Sequence, residues 1–241
     1  KQRMHTFTNP VLLTDNYRIS ILNQGLRDSL FSLYTSYPRV VVYDKVSVSW
    51  DQNQSNVWGP SIDTILFAKA LRPILEERKN IYQGIEIGSG SGFLSKYILA
   101  KSPFIQKMLI NDLNPKAIKV ARENISDSRA IFKAGNGLDA IREKKFDLIV
   151  CNPPYIPRPH SLGGNAYEGI GLLHYLLHHG QKHLTTKGVI VTNISSLCKE
   201  DMLSKKPTLQ IRTLERKTVP LKVNNVLNNK TWLDYLRKKG L

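Results

Sequence analysis

The chain has 241 residues, enough to bury a substantial core in one large domain but too few for two full domains. Its composition, 41% hydrophobic and 22% charged, is typical of a soluble globular protein, and no apolar run approaches the ~18 residues that a membrane span needs. An excess of 35 Lys and Arg over 19 Asp and Glu gives a net charge of +16, which predicts nucleic acid or the ribosome near the protein.

The two cysteines, Cys151 and Cys198, form neither a CxxC pair nor a metal-ligand spacing. We expect both to be reduced, which favours a cytoplasmic protein that has no membrane contact. His174, His178 and His179 lie close together on a predicted helix, but no carboxylate or cysteine completes a ligand set there. We therefore expect no metal.

The texture of the sequence changes near residue 55, and we place a boundary there. In residues 1–55, leucines at helical spacing precede two β-rich runs, 40–43 and 46–50. This pattern predicts a small α+β appendage. Asp44 and Lys45 join these two runs as a hairpin. The second unit then spans residues 56–241.

The second unit begins with a helix and ends in a basic segment. Ser61 is a suitable N-cap for the helix, and Pro73 is expected to stop it. The last stretch, about 199–241, carries eleven Lys and Arg and four Asp and Glu. Its charge is consistent with a solvated surface or with contact to a polyanion.

From residue 80 onward, strands and helices alternate along the chain. The strand candidates are 84–87, 108–111, 130–133, 146–151 and 189–192, and the helix candidates are 93–101, 115–125 and 170–179. This alternation predicts a parallel α/β sheet, in which ligands bind beyond the carboxyl ends of the strands.

A glycine-rich turn, Glu-Ile-Gly-Ser-Gly-Ser-Gly at 86–92, closes the first of these strands. Such a turn lets the backbone approach a ligand closely, and it suits a dinucleotide, another nucleoside cofactor or a purely structural bend. Glu86 favours S-adenosylmethionine (SAM), because a carboxylate can orient the cationic amino end of that cofactor, whereas a dinucleotide-binding strand is usually apolar there.

Two further residues extend the predicted cofactor site. Asp112 ends the next strand, where a carboxylate can accept both ribose hydroxyls, although it could also cap a helix. Asn136 follows the third strand and can contact an adenine edge, or it can simply form an Asn-Gly turn.

The tetrapeptide Asn152-Pro153-Pro154-Tyr155 directly follows the strand 146–151. Two prolines stiffen the backbone and remove donors, so carbonyl oxygens and the Asn152 carboxamide are left to accept hydrogen bonds beside the flat Tyr155 ring. This arrangement suits a planar NH2 group. Acceptors on its hydrogens can turn the nitrogen toward a methyl donor and favour the charge that develops there.

The blocks EIGSGSG, NDLNP and NPPY, in this order and spacing, resemble a class I methyltransferase that modifies amino groups, and within it the HemK/PrmC group of protein-glutamine N5-methyltransferases acting on release factors. The likeness covers residues 57–195 and includes Pro60 to Thr64, similar to a Pro-x-x-[DE]-T segment. It implies a Rossmann-like α/β fold with a mostly parallel seven-stranded sheet and helices on both faces. It also implies SAM contacts at Glu86, Gly88, Gly90, Gly92 and Asp112, and amide recognition at Asn152, Pro153 and Tyr155. We further predict cofactor contacts at their neighbours Ser89 and Leu113 and at Asn152, and an acceptor contact at Pro154.

Two other functions remain open from the sequence. The NPPY tetrapeptide is shared with enzymes that methylate adenine N6 or guanine N2 in nucleic acids, so an rRNA or tRNA base is an alternative acceptor. A protein of another class, which kept the fold and binds nucleic acid without catalysis, is the second alternative.

Overall fold

The computed structural model describes residues 39–51, 57–198, 209–218 and 229–239. The helical part of the predicted appendage and part of the basic segment after residue 199 lie outside these ranges.

Strands and helices alternate from residue 62 to residue 192, as the sequence predicts. The strands are β1 (Arg39–Tyr43), β2 (Val46–Trp50), β3 (Gln83–Ile87), β4 (Lys107–Asp112), β5 (Ala130–Ala134), β6 (Phe146–Cys151) and β7 (Leu184–Thr192). The helices are α1 (Ile62–Glu77), α2 (Phe93–Lys101), α3 (Pro115–Asn124), α4 (Gly137–Ile141), α5 (Gly171–His179) and α6 (Lys230–Lys238), with short 3-10 turns at His160–Leu162, Gly180–His183 and Ser196–Cys198. None of the described helices is both long and apolar enough to cross a membrane.

Five of the strands form one parallel sheet in the order β5-β4-β3-β6-β7. The chain moves outward from β3 to β5 and then returns to β6 on the other side of β3. The α/β class and the parallel sheet are thereby confirmed. The remaining two of the seven strands implied by the resemblance are not formed within the described ranges.

Helices cover both faces of this sheet because alternate strand residues point in opposite directions. On β6, Leu148 and Val150 join the core beneath α1, α2 and α3. Their neighbours Ile149 and Cys151 join the core beneath α4 and α5. All four side chains are fully buried, which explains why this strand is an unbroken apolar run.

The hairpin of β1 and β2 forms as predicted, with Asp44 and Lys45 in its turn. Its second strand, β2, packs against α2 and α3. Val46 and Val48 belong to the core cluster under α1 and α2, and the Asn124 side chain of α3 accepts from Ser49 N at 2.8 Å and donates to Ser49 O at 2.7 Å. The hairpin therefore shares a core with the sheet, and a domain boundary at residue 55 stays a prediction.

The expectation that Pro73 stops the first helix is wrong. Ser61 does cap α1, but the helix continues through Pro73 to Glu77. Proline costs a helix one hydrogen bond, here to the carbonyl of Lys69, and both residues lie on the exposed side, where water can replace it. Leu71 and Leu75 are 0% and 1% exposed and fix the last turn against the core.

Candidate active site

A cavity of about 480 Å³ lies beyond the carboxyl ends of β3, β4 and β6. The strand order reverses between β3 and β6, so the segments that follow them diverge and leave a crevice at this point. Its volume is that of a small-molecule or cofactor site. The sequence-predicted site residues that line it are Glu86, Gly88, Ser89, Gly90, Asp112, Leu113, Asn136, Asn152, Pro153, Pro154 and Tyr155.

The glycine turn is fastened to the end of β4. Gly88 and Ser89 donate their N–H groups to the carbonyl oxygen of Asn111 at 2.9 and 3.0 Å. Gly90 donates its N–H to Oδ2 of Asp112 at 2.8 Å, and Oδ1 of Asp112 accepts from Asn114 N, also at 2.8 Å. Each carboxylate oxygen keeps further lone pairs, so Asp112 can both hold the turn and accept hydroxyls from a ligand.

Glycine is required at two positions of this turn. Gly90 has a φ of +51°, and a Cβ there would lie 2.3 Å from the backbone oxygen of Trp58. Gly92 has a φ of +84°, and its Cβ would lie 2.9 Å from Cβ of Ala121. Gly92 is the predicted cofactor contact that does not line the cavity, because it faces helix α3 and serves packing there.

Glu86 is buried beneath the turn, with 2% of its surface exposed. Its Oε2 accepts hydrogen bonds from both the backbone N–H, at 2.9 Å, and the hydroxyl of Ser95 in α2. Burial raises the pKa of the Glu86 carboxyl to about 8, and the nearby charge of Asp112 acts in the same direction. A cation beside Glu86 would favour its ionised form.

Asn136 follows β5 and begins helix α4. Its Oδ1 accepts from Leu138 N at 2.9 Å, so the side chain is an N-cap. The residue is exposed at the rim of the cavity, on the same side as Leu113, which is 39% exposed. Both the capping role and a contact with an adenine edge are compatible with this position.

Asn152 lies directly after β6, and its carboxamide is held from two sides. Oδ1 accepts from Nδ2 of Asn193, which follows β7, at 2.8 Å. Nδ2 lies 3.4 Å from Oδ2 of Asp63 and 3.4 Å from Oγ1 of Thr64, both in the first turn of α1. A carboxylate only accepts hydrogen bonds, so Asp63 requires the NH2 side of Asn152 to face it.

Tyr155 forms an apolar wall of the cavity. It packs against Leu173, Leu177 and Cys198, while Pro153 before it is buried. Burial, followed by the charge of Asp63, raises the pKa of Tyr155 to about 12. The phenol therefore stays protonated at neutral pH and can serve as a wall and a donor, but not as a base.

Sequence reasoning missed three residues of this site. Asn193 stands at the end of a predicted strand, so the strand-end rule that identified Asp112 could have found it. Asp63 falls within the segment from Pro60 to Thr64 that is similar to the Pro-x-x-[DE]-T segment, but no role in the site was predicted for it. Trp232, on the distant helix α6, lines the cavity and carries no sequence signal that would place it there.

The ionisable Asp and Glu side chains that line the cavity have no basic counterpart among its described lining residues. Within the described residues, these side chains are those of Asp63, Glu86, Asp112 and Glu168, and no lysine or arginine lines the cavity. This is unexpected for a chain of net charge +16. Glu168 pairs with Arg158 at 2.8 Å. Asp63 and Asp112, together with Glu86 once a cation favours its ionised form, make the interior attractive to a cation.

None of the cysteines and histidines that the structure describes lines this cavity. Cys151 and Cys198 are both free and buried, and they form no disulfide with each other. The His174 and His178 rings lie 4.3 Å apart on α5. Over the described ranges, no group of three or more His, Cys, Asp or Glu side chains could hold a metal ion.

A parallel sheet with a switch-point crevice, a glycine turn and a strand-end acid define a Rossmann-like protein of the class I methyltransferase type. The chain belongs to the methyltransferase small domain family, whose sequence model matches residues 63–217. The predicted family resemblance is thereby confirmed. The fold resembles that of a SAM-dependent methyltransferase from Agrobacterium tumefaciens, with a TM-score of 0.53, 17% identity, and coverage of 67% of this chain and 54% of the other.

Two curated relatives are similar in sequence. A release factor glutamine methyltransferase of Aquifex aeolicus is 31% identical over 147 residues, which are 54% of this chain and 51% of that protein. A ribosomal protein uL3 glutamine methyltransferase of Bordetella pertussis is 26% identical over 147 residues, 54% of this chain and 49% of that protein. The chain thus spans about half the length of these relatives.

Proposed function

We propose that this protein transfers a methyl group from SAM to the N5 amide nitrogen of a glutamine side chain in another protein. The observation that carries the proposal is the orientation of Asn152, whose carboxamide oxygen is fixed at the end of β6 within the same cavity as the glycine turn. The family supports methyl transfer, and the glutamine methyltransferase functions of the two relatives support a glutamine acceptor.

The residues of the cofactor half fit SAM. Among the described residues that line the cavity, two buried side-chain atoms have no hydrogen-bond partner within the protein: Ser89 Oγ and Asn111 Oδ1. Glu86 and Asp112 add carboxylates that suit the cationic amino end and the ribose hydroxyls of this molecule. When bound, SAM would supply an electrophilic methyl group on a positively charged sulfur.

The acceptor half would bind and orient the NH2 group. The Asn152 oxygen and the Pro153 carbonyl oxygen can accept its two hydrogens, as the sequence predicts. An amide nitrogen is a poor nucleophile because its lone pair is delocalised into the carbonyl. Two fixed acceptors aim that nitrogen and stabilise the positive charge that it gains, while Tyr155 and the apolar walls exclude water.

The charges of the cavity favour an amide over a nucleotide as acceptor. A flipped base brings phosphates that are usually met by lysine or arginine, and the described lining residues include neither. The net charge of +16 is the observation that favours the alternative, an rRNA or tRNA base. A release factor or ribosomal protein as the acceptor is compatible with both the acidic lining of the cavity and the basic net charge of the chain, since such a protein works beside RNA in the cytoplasm.

Methyl transfer from radiolabelled SAM tests the proposal directly. Purified release factors, ribosomal protein uL3 and total RNA are offered separately, and the products are digested with protease or ribonuclease. We expect label in protein that protease releases, and loss of most of this label with Asn152→Ala while SAM binding is largely retained. Label that resists protease and is lost with ribonuclease would assign the base-methylating alternative instead.

A further inference from the structure

Helix α6 contributes Trp232 to the lining of the cavity. It is the last described element of the chain and lies outside the range that the family's sequence model matches, residues 63–217. Trp232 and Leu236 are 3% and 6% exposed and pack against Ile156 and Leu162 of the segment that follows Tyr155. The helix is therefore docked on the acceptor half of the site.

Trp232 holds this segment against α6. Its indole N–H donates to the carbonyl oxygen of Pro157 at 2.6 Å in a buried contact. Trp232 is also among the residues that line the cavity, as are Tyr155 and Ile156. One side chain thus ties α6 to the segment and forms part of the surface that an acceptor would meet.

Arg158 holds the segment in a closed arch. Its guanidinium lies 5.7 Å from the Trp232 ring, pairs with Glu168 at 2.8 Å, and donates to the carbonyl oxygens of Leu162, at 3.0 Å, and Gly163. These contacts use the planar fork of arginine. The arch brings the stretch from Asn165 to Gly169 to the cavity on the side of Trp232.

We propose that α6 is the acceptor-side wall of the cavity and that Trp232 contacts the polypeptide beside the methylated side chain, which makes it a specificity-determining residue. This rests on the proposed function of the same site. The cofactor-binding turn and Asp112 follow β3 and β4, whereas Trp232, on α6, packs against the segment that follows β6 and Tyr155. A flat, rigid indole offers apolar contact to a peptide at low entropic cost.

Three variants distinguish a direct contact of Trp232 with the acceptor from a role of Trp232 in holding α6 in place. Trp232→Ala removes the wall and the hydrogen bond, Trp232→Phe keeps a ring without the donor, and Leu236→Ala weakens the docking of α6 at a residue that does not line the cavity. For each protein, SAM affinity is measured by calorimetry, and kcat and KM are measured with the release factor or uL3 protein that the wild type labels.

We expect Trp232→Ala to raise the acceptor KM about tenfold or more, with SAM affinity unchanged, and Trp232→Phe to have a smaller effect. Leu236→Ala should leave KM within about threefold of the wild type. An unchanged KM in Trp232→Ala, or equal effects of Trp232→Ala and Leu236→Ala, overturns the proposal. If the wild type labels RNA alone, the glutamine acceptor is refuted, and the KM of the same variants for that RNA decides the role of Trp232.

Discussion

Nδ2 of Asn193 donates a hydrogen bond of 2.8 Å to Oδ1 of Asn152, the oxygen proposed to receive the substrate NH2 group. An amide oxygen has two lone pairs, so one bond to Asn193 leaves the other for a substrate. Together with Asp63 on the opposite side, Asn193 gives the carboxamide a single favoured orientation. Asn193 is therefore a positioning residue for the proposed reaction.

Asn193→Asp should remove this single orientation. A carboxylate at residue 193 cannot donate to Oδ1 of Asn152 and competes with Asp63 for its NH2 group, so the carboxamide oxygen is no longer held toward the substrate. We expect kcat to fall by at least about tenfold while SAM affinity stays unchanged. Steady-state methyl transfer and calorimetry measure the two quantities.

The matched control for that change is Asn165→Asp. It adds the same charge to a cavity residue whose Oδ1 accepts from Tyr167 N at 3.0 Å, a role that aspartate can keep. The control should retain most of the activity. Equal losses in both variants would mean that charge, and not the orientation of Asn152, limits the rate.

Glu86 predicts a dependence of stability on pH. Its folded-state pKa is raised from 4.5 to about 8 by burial, so the unfolded chain ionises first as the pH rises. The contribution to stability is fully present below the unfolded pKa and is lost as the pH rises through the folded value. The free energy of unfolding of the wild type should therefore fall relative to Glu86→Gln between about pH 5 and pH 8 and then level off.

Urea unfolding of the two proteins across that range measures the difference. The glutamine side chain of the variant is nearly isosteric with glutamate and can still accept from Ser95 N, so the comparison isolates the ionisation. A difference that is constant between pH 5 and pH 9 would show that Glu86 does not titrate there.

The sequence predicted those parts of the fold and site that depend on neighbours along the chain. The strand 146–151 was found to the residue, because its two buried faces leave an unbroken apolar run. Asp112 and Asn152 were placed correctly, because any residue at the carboxyl end of a parallel strand reaches the same edge. The predicted end of α1 at Pro73 was wrong because helix propensity does not reveal that Leu71 and Leu75 are buried and hold the last turn in place. Trp232 lies 80 residues beyond Asn152, and only tertiary packing brings the two to one cavity.

Gly90→Ala should destabilise the protein by about 2–4 kcal/mol, since an alanine there takes a strained φ and its Cβ meets a backbone oxygen. The turn would have to move away from Trp58, which also receives Ser91 N–H at 2.9 Å. Gly171→Ala is the control, because a Cβ at that cavity residue meets nothing within 4 Å. Denaturant unfolding and SAM calorimetry should show losses in the first variant alone, and comparable stability of both would contradict the steric argument.

Asn124 links the hairpin to the glycine turn, and its substitution tests whether the two are coupled. Besides its two bonds to Ser49, Nδ2 of Asn124 donates to the carbonyl oxygen of Ser91 at 2.9 Å. Asn124→Ala should therefore cost about 1–3 kcal/mol of stability and also weaken SAM binding, because the turn loses a support. Glu123→Ala, at an exposed neighbour on α3, should change neither quantity. If Asn124→Ala lowers stability but leaves SAM affinity intact, the hairpin stabilises the fold without positioning the cofactor-binding turn.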